Sequence, residues 1–160
     1  MTQPFTVVPA AYVFLLRPNP DRPDRRDVLL QLREGTGYMD GHWAAAAAGH
    51  VERGESVFEA AAREVAEEVG LDVDPDDLTP LCAMHRTGAG DDPIDERVDY
   101  FFSAGTWSGE PRIIEPDKCA DLRWVLLDEL PDPVVPHELV VLEALRADAV
   151  PAILTFGFAG

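Results

Sequence analysis

Hydrophobic and polar positions follow two different periods along this chain. The segment TVVPAAYVFLLR (6–17) is an almost unbroken apolar run with β-branched and aromatic residues, the pattern of a buried strand. The polar, proline-broken PNPDRPDRRD (18–27) predicts a turn, and VLLQLR (28–33) the returning strand. GTGYMDGHW (35–43) reads as a glycine-rich loop running into the alanine run 44–48. The period then changes to about 3.6 residues: Val57, Ala61, Val65 and Val69, with Phe58 and Ala62 beside them, form the apolar stripe of a helix over 57–69. Beyond it, 78–86 and 97–104 predict a second hairpin around the loop 87–96, and 109–131 a loop, a strand through Trp124 and a turn. Residues 136–148 form an apolar-faced helix with Pro136 suited to its first turn. The tail 150–160 is too short to assign. The order β-β-α-β-β-β-α predicts helices flanking a mixed sheet, an α/β or α+β sandwich in a single domain over 1–160.

The first helix carries unusual chemistry. Ser56 and Glu59 have the spacing of a capping box, and Gly70 supplies a left-handed stop. Glu64, Glu67 and Glu68 then fall at i, i+3 and i+4, which brings three like charges to one face. A glutamate-rich face is ordinarily solvated surface. Two features set this one apart. The acids crowd the last turn, where the helix dipole disfavours them, and Arg63 is the only basic residue on the helix. Clustered carboxylate oxygens are what hard divalent cations such as Mg²⁺ require.

Composition narrows the partners. A formal charge of −17 argues against a nucleic-acid polymer as partner, because phosphate backbones need clustered Lys and Arg. No apolar run reaches the roughly 18 residues that span a bilayer, so no membrane is expected. The N-terminal segment does not have the pattern of a signal peptide, and a cytoplasmic location is the default. Cys82 and Cys119 lack the spacing of a disulfide or zinc framework.

Gly49, Glu55 and the run Arg63-Glu64-Val65-x-Glu67-Glu68-x-Gly70-Leu71 together resemble the complete signature of the Nudix hydrolases. The resemblance implies an α/β/α sandwich that cleaves a nucleoside diphosphate linked to a group X, usually with Mg²⁺, for which Mn²⁺ is an alternative. It also implies roles for individual residues. Glu64, Glu67 and Glu68, joined by the Gly49 carbonyl, would ligate the metal, while Arg63 orients them with Glu55 as its partner. Glu115 resembles the late-loop carboxylate of the MutT-like branch, an added ligand or the base. Apart from the resemblance, Arg33 at the end of the second strand and His85 and Arg86 at the start of the loop 87–96 are placed either to contact substrate or to serve as strand-end polar residues, and His50 is either a substrate contact or a plain loop residue. A homodimer is a common assembly of such folds.

The chain departs from the usual Leu-Pro-Gly-Gly before the signature, with Ala46-Ala47-Ala48-Gly49 in its place. Markers of the ADP-ribose and dinucleoside-polyphosphate branches, expected at Arg86 and Gly88, are missing. The preferred reading is therefore a nucleoside-triphosphate pyrophosphatase. The alternatives are an ADP-ribose or nucleotide-sugar pyrophosphatase, an isoprenoid-diphosphate isomerase and a non-catalytic ligand-binding domain.

Overall fold

A computed structural model describes residues 2–159. Eight strands, β1 (Val8–Pro18), β2 (Arg26–Arg33), β3 (Trp43–Ala45), β4 (Ala47–His50), β5 (Thr79–Arg86), β6 (Arg97–Ala104), β7 (Cys119–Leu126) and β8 (Ile153–Phe156), accompany two helices, α1 (Val57–Val69) and α2 (Pro136–Arg146). The path β3-β2-β1-β6-β5-β8 mixes parallel and antiparallel neighbours, with β4 added on β1 and β7 on β2. β1 runs parallel to β6 and antiparallel to β2 and β4.

β1 is buried on both faces, which explains its unbroken apolar character. Tyr12 and Phe14 enter one core, which also holds Val141, Leu142 and Leu145 of α2. The intervening Ala11, Val13 and Leu15 enter a second core with Ala60, Ala61, Val65 and Val69 of α1. The expected mixed sheet between helices is the observed architecture. Phe101 and Phe102 are core residues, as expected, and Trp43 is buried with them. Trp124 stacks at 5.8 Å on Trp107.

The alanine run, to which the sequence pattern assigns no element, contributes to two short strands. β3 pairs with β2, and β4 places Ala48 opposite Tyr12 and Gly49 opposite Ala11 on β1. Among the described residues, the positive-φ set includes neither Ala48 nor Gly49, so the missing Pro-Gly turn asks nothing of Ala48 that an L-residue resists. The unassigned tail supplies β8, which pairs parallel to β5.

One divergence creates the site. β1 and β2 pair only over Leu16–Pro18 and Arg26–Val28. Further along, β4 takes the edge of β1, while β3 and β7 pair with β2. The opening between them exposes Gln31 and Arg33 of β2 across from Ala48 of β4.

Candidate active site

α1 starts where the sequence places it. Glu59 N–H donates to Ser56 Oγ at 3.1 Å, and Ser56 N–H donates to Glu59 Oε2 at 3.2 Å. Gly70 closes the helix at φ 71°. With the helix fixed at both ends, Arg63 reaches back to the preceding loop. Its Nε and Nη2 donate to the two Glu55 oxygens at 3.0 and 2.7 Å, a bidentate pair. Nη2 also donates to the His50 carbonyl at 3.1 Å, while Nη1 donates to Glu64 at 2.8 Å and Glu67 at 3.1 Å. Hydrogen bonding to Glu55 above all raises the Arg63 pKa, and the same contact lowers that of Glu55.

The three helix carboxylates differ in surroundings. Glu68 is the most enclosed, and its Oε2 accepts from the Ala48 N–H at 2.6 Å. Burial pushes its pKa up to about 8. Burial also raises Glu64, outweighing the adjacent Arg63. Glu67 is 55% exposed and is tied to Arg63 by a single contact. Among the described residues no three carboxylate, imidazole or thiol groups form a ready-made metal cluster. Arg63 draws off Glu64 and Glu67, and the β4 backbone holds Glu68.

The donor set nevertheless fits a hard divalent cation. Its groups are all oxygens, two of them half-buried or buried carboxylates that a cation would favour in charged form. A Cβ at Gly49 would lie 2.2–2.7 Å from the Glu64 carboxylate, so glycine is what lets the β4 backbone approach that ligand.

Glu64, Glu67 and Glu68 line one cleft of about 420 Å³ together with Gln31, Arg33 and Glu115. Glu115 comes from the loop before β7. Lys118, from the same loop, sits 3.6 Å from it. Arg33 is held by the glycine-rich loop: Nε donates to the Tyr38 carbonyl at 2.8 Å and Nη2 to Thr36 Oγ1 at 3.0 Å.

A second cavity of about 370 Å³ shares Gln31, Arg33, Ala48 and Glu68 with the cleft, so the two are neighbours. His50 and Arg86 line it, whereas His85 does not. Successive strand residues face opposite ways. His85 therefore turns from Arg86 and packs against Phe158 at 4.7 Å.

Sequence reasoning missed Lys118 and Cys119 at the cleft, and Arg97 and Asp99 beside the second cavity. An aspartate in the apolar strand RVDYFFSA was the available signal for the last of these.

Comparison with known proteins decides the family. The NUDIX domain model matches residues 7–145. The chain belongs to the Nudix family. Among solved Nudix structures, a MutT NUDIX hydrolase from Burkholderia pseudomallei has 29% identity and a TM-score of 0.69, covering 84% of this chain and 96% of that one. The Nudix domain of Shewanella oneidensis NrtR, solved with ADP ribose, shares the fold at a TM-score of 0.69 and 20% identity, over 89% and 88% of the two chains. The NAD-capped RNA hydrolase NudC of Stutzerimonas stutzeri (strain A1501) is 34% identical over 84 residues. That match spans 52% of this chain and 27% of the relative's length.

Proposed function

We propose that this Nudix protein is a metal-dependent pyrophosphohydrolase that cleaves a nucleoside diphosphate linked to X. The preferred substrate is a nucleoside triphosphate, converted to the monophosphate and pyrophosphate. One observation carries the reading: a single cleft sets Glu64, Glu67, Glu68 and Glu115 against two cations, Arg33 and Lys118. Acids that take a divalent cation, beside bases that take phosphate oxygens, suit a polyphosphate chain.

Bound by Glu64, Glu67, Glu68 and the Gly49 backbone, Mg²⁺ or Mn²⁺ would supply charge neutralisation at the phosphates and an acidified water. The protein's own groups do the positioning. Arg63, locked by Glu55, keeps Glu64 and Glu67 on the cleft side of α1. Arg33 and Lys118 bind phosphate oxygens and stabilise charge that develops in the transition state. Glu115, at the cleft rim, accepts the proton of the attacking water or adds a ligand. We place the reaction in the cytoplasm, on free nucleotides.

The adjoining cavity favours a second reading, in which X is bulkier than phosphate, as in ADP-ribose or a nucleotide sugar. A release assay over nucleoside triphosphates, ADP-ribose, sugar nucleotides and dinucleotides, run with Mg²⁺ and Mn²⁺, separates the two. Glu67→Gln should fold normally and lose on the order of 10² or more in turnover. Turnover equal to the parent in that variant rejects metal-dependent hydrolysis, and a blank panel for the parent favours a non-catalytic binding domain.

A further inference from the structure

Arg86 ends β5 and Arg97 begins β6, and the two face each other directly across the hairpin. Like charges in directly opposed positions destabilise a sheet. Both side chains are largely enclosed, at 13% and 14% exposure, and both lean on one aspartate with no exposure, Asp99. Arg86 Nε donates to Asp99 Oδ2 at 2.7 Å, while Arg97 Nε stands 3.5 Å from Oδ1 without a hydrogen-bond partner. Arg97 Nη1 donates to His50 Nε2 at 3.1 Å, which requires that imidazole nitrogen to be unprotonated. Two buried positive charges thus share one negative charge. The surplus borders a cavity that Arg33 also lines, in a chain with only 13 basic residues and a net charge of −17. A guanidinium carries five N–H donors, and the Nε–Asp99 bond is the one side-chain hydrogen bond of Arg86 among the described residues. Three acids share the cavity wall, Glu68, Asp95 and Glu138, and among the described residues none of them forms a salt bridge with Arg86 or Arg97. Glu68 accepts from the Ala48 N–H at 2.6 Å, Glu138 accepts from the Ala45 N–H at 2.7 Å, and Asp95 is exposed on the loop at the mouth.

We propose that the floor of this cavity is an oxyanion subsite, in which Arg86 and Arg97, positioned by Asp99, grip a phosphate or carboxylate at the end of the substrate remote from the carboxylate-lined cleft. The subsite rests on the reading of this protein as a phosphoanhydride hydrolase and specifies X: a group that bears its own anionic oxygens. Two sources share that chemistry. One is the terminal phosphate of a nucleoside triphosphate, and the other is a carboxylate on a larger X, for which the cavity has room.

The test uses the metal-free full chain in the presence of EDTA. Inorganic pyrophosphate and, separately, malonate are titrated while the arginine Nε–H signals are followed by nitrogen-15 NMR. The Arg86 and Arg97 signals are assigned from their disappearance in Arg86→Gln and Arg97→Gln. Both signals should shift saturably with pyrophosphate, and either variant should bind it about tenfold more weakly. A response to malonate as well supports a carboxylate-bearing X, and a response to pyrophosphate alone supports a terminal phosphate. Unmoved arginine signals, or unchanged affinity in both variants, overturn the subsite. If Arg97→Gln fails to fold, the parent titration and Arg86→Gln decide the matter. The readout needs neither metal nor turnover. A chain that shifts as expected but hydrolyses no nucleotide keeps the subsite and loses the proposed function. One that hydrolyses nucleoside triphosphates with silent arginines loses the subsite alone.

Discussion

Gly49 concentrates the residue-scale argument. Its backbone sits in β4 with a φ that any residue adopts, so no left-handed strain forbids a side chain. What forbids it is the Glu64 carboxylate, 2.2–2.7 Å from where Cβ would stand. Because that carboxylate ends a flexible side chain, Gly49→Ala should displace Glu64 and leave the strand intact. The expected outcome is a loss of stability under about 1 kcal/mol, since alanine also gains backbone rigidity, but a clear loss of Mg²⁺ affinity and turnover. A calorimetric Mg²⁺ titration beside a denaturant melt checks this, and unaltered Mg²⁺ binding would contradict it. Residues of this kind were legible in the sequence because the signature is local: Glu55, Arg63, Glu64, Glu67 and Glu68 all lie within one loop and one helix. Arg97, Asp99 and Lys118 were not, since their neighbours are set by strand pairing and loop return rather than by spacing along the chain. His85 shows the same limit from the other side, for adjacency to Arg86 in sequence puts it on the opposite face.

At the scale of elements, small residues let α1 approach the sheet. Ala46 and Ala47 meet Ala60 and Ala61 in one fully buried cluster, and this close approach carries Glu64 and Glu68 to the β4 backbone. Ala47→Leu forces extra methyl groups into that contact. It should destabilise the fold by about 2 kcal/mol and also raise the metal concentration needed for activity, because the helix is pushed from β4. Ser56→Ala removes the cap without touching the contact, costing about 1 kcal/mol with metal affinity preserved. Urea melts and metal titrations on the two variants separate packing from capping, and equal metal affinity in both would sink the packing claim. α1 was readable from its period and capping box, α2 from its apolar face and Pro136 in its first turn, and β1, β2 and the β5–β6 hairpin from apolar runs bounded by turn residues. β3 and β4 were hidden because alanine has little strand preference, and their pairing depends on partners far along the chain. β8 is a four-residue edge strand with Ile153 72% exposed, so no buried face marked it.

For the whole molecule, the response to pH turns on two neighbours in the first turn of α2, His137 and Glu138, each 3% exposed. Burial pushes the Glu138 carboxyl from 4.5 up to about 7, against the Ala45 N–H bond that favours the charged form. Its contribution to stability is complete below pH 4.5 and is lost as pH rises through 7. Burial, then Arg86, Arg97 and Arg33, holds His137 down from 6.5 to about 3. Its contribution is complete above pH 6.5 and is lost as pH falls through 3. Between pH 4.5 and 6.5 the folded state therefore holds one more proton at Glu138 and one fewer at His137 than the unfolded chain does, and the two slopes cancel. Each slope amounts to about 1.4 kcal/mol per pH unit. Glu138→Gln, whose amide oxygen can still accept from Ala45, leaves the histidine uncompensated, so its stability relative to the parent should rise with pH across this window. His137→Phe leaves the carboxyl uncompensated, and its relative stability should fall. Denaturant melts of parent and variants at pH 4.5, 5.5 and 6.5 read both slopes as differences, which removes the contribution of every other titrating group. Opposite slopes in the two variants mean that these neighbours balance each other's cost of burial, and flat differences in both mean that they do not.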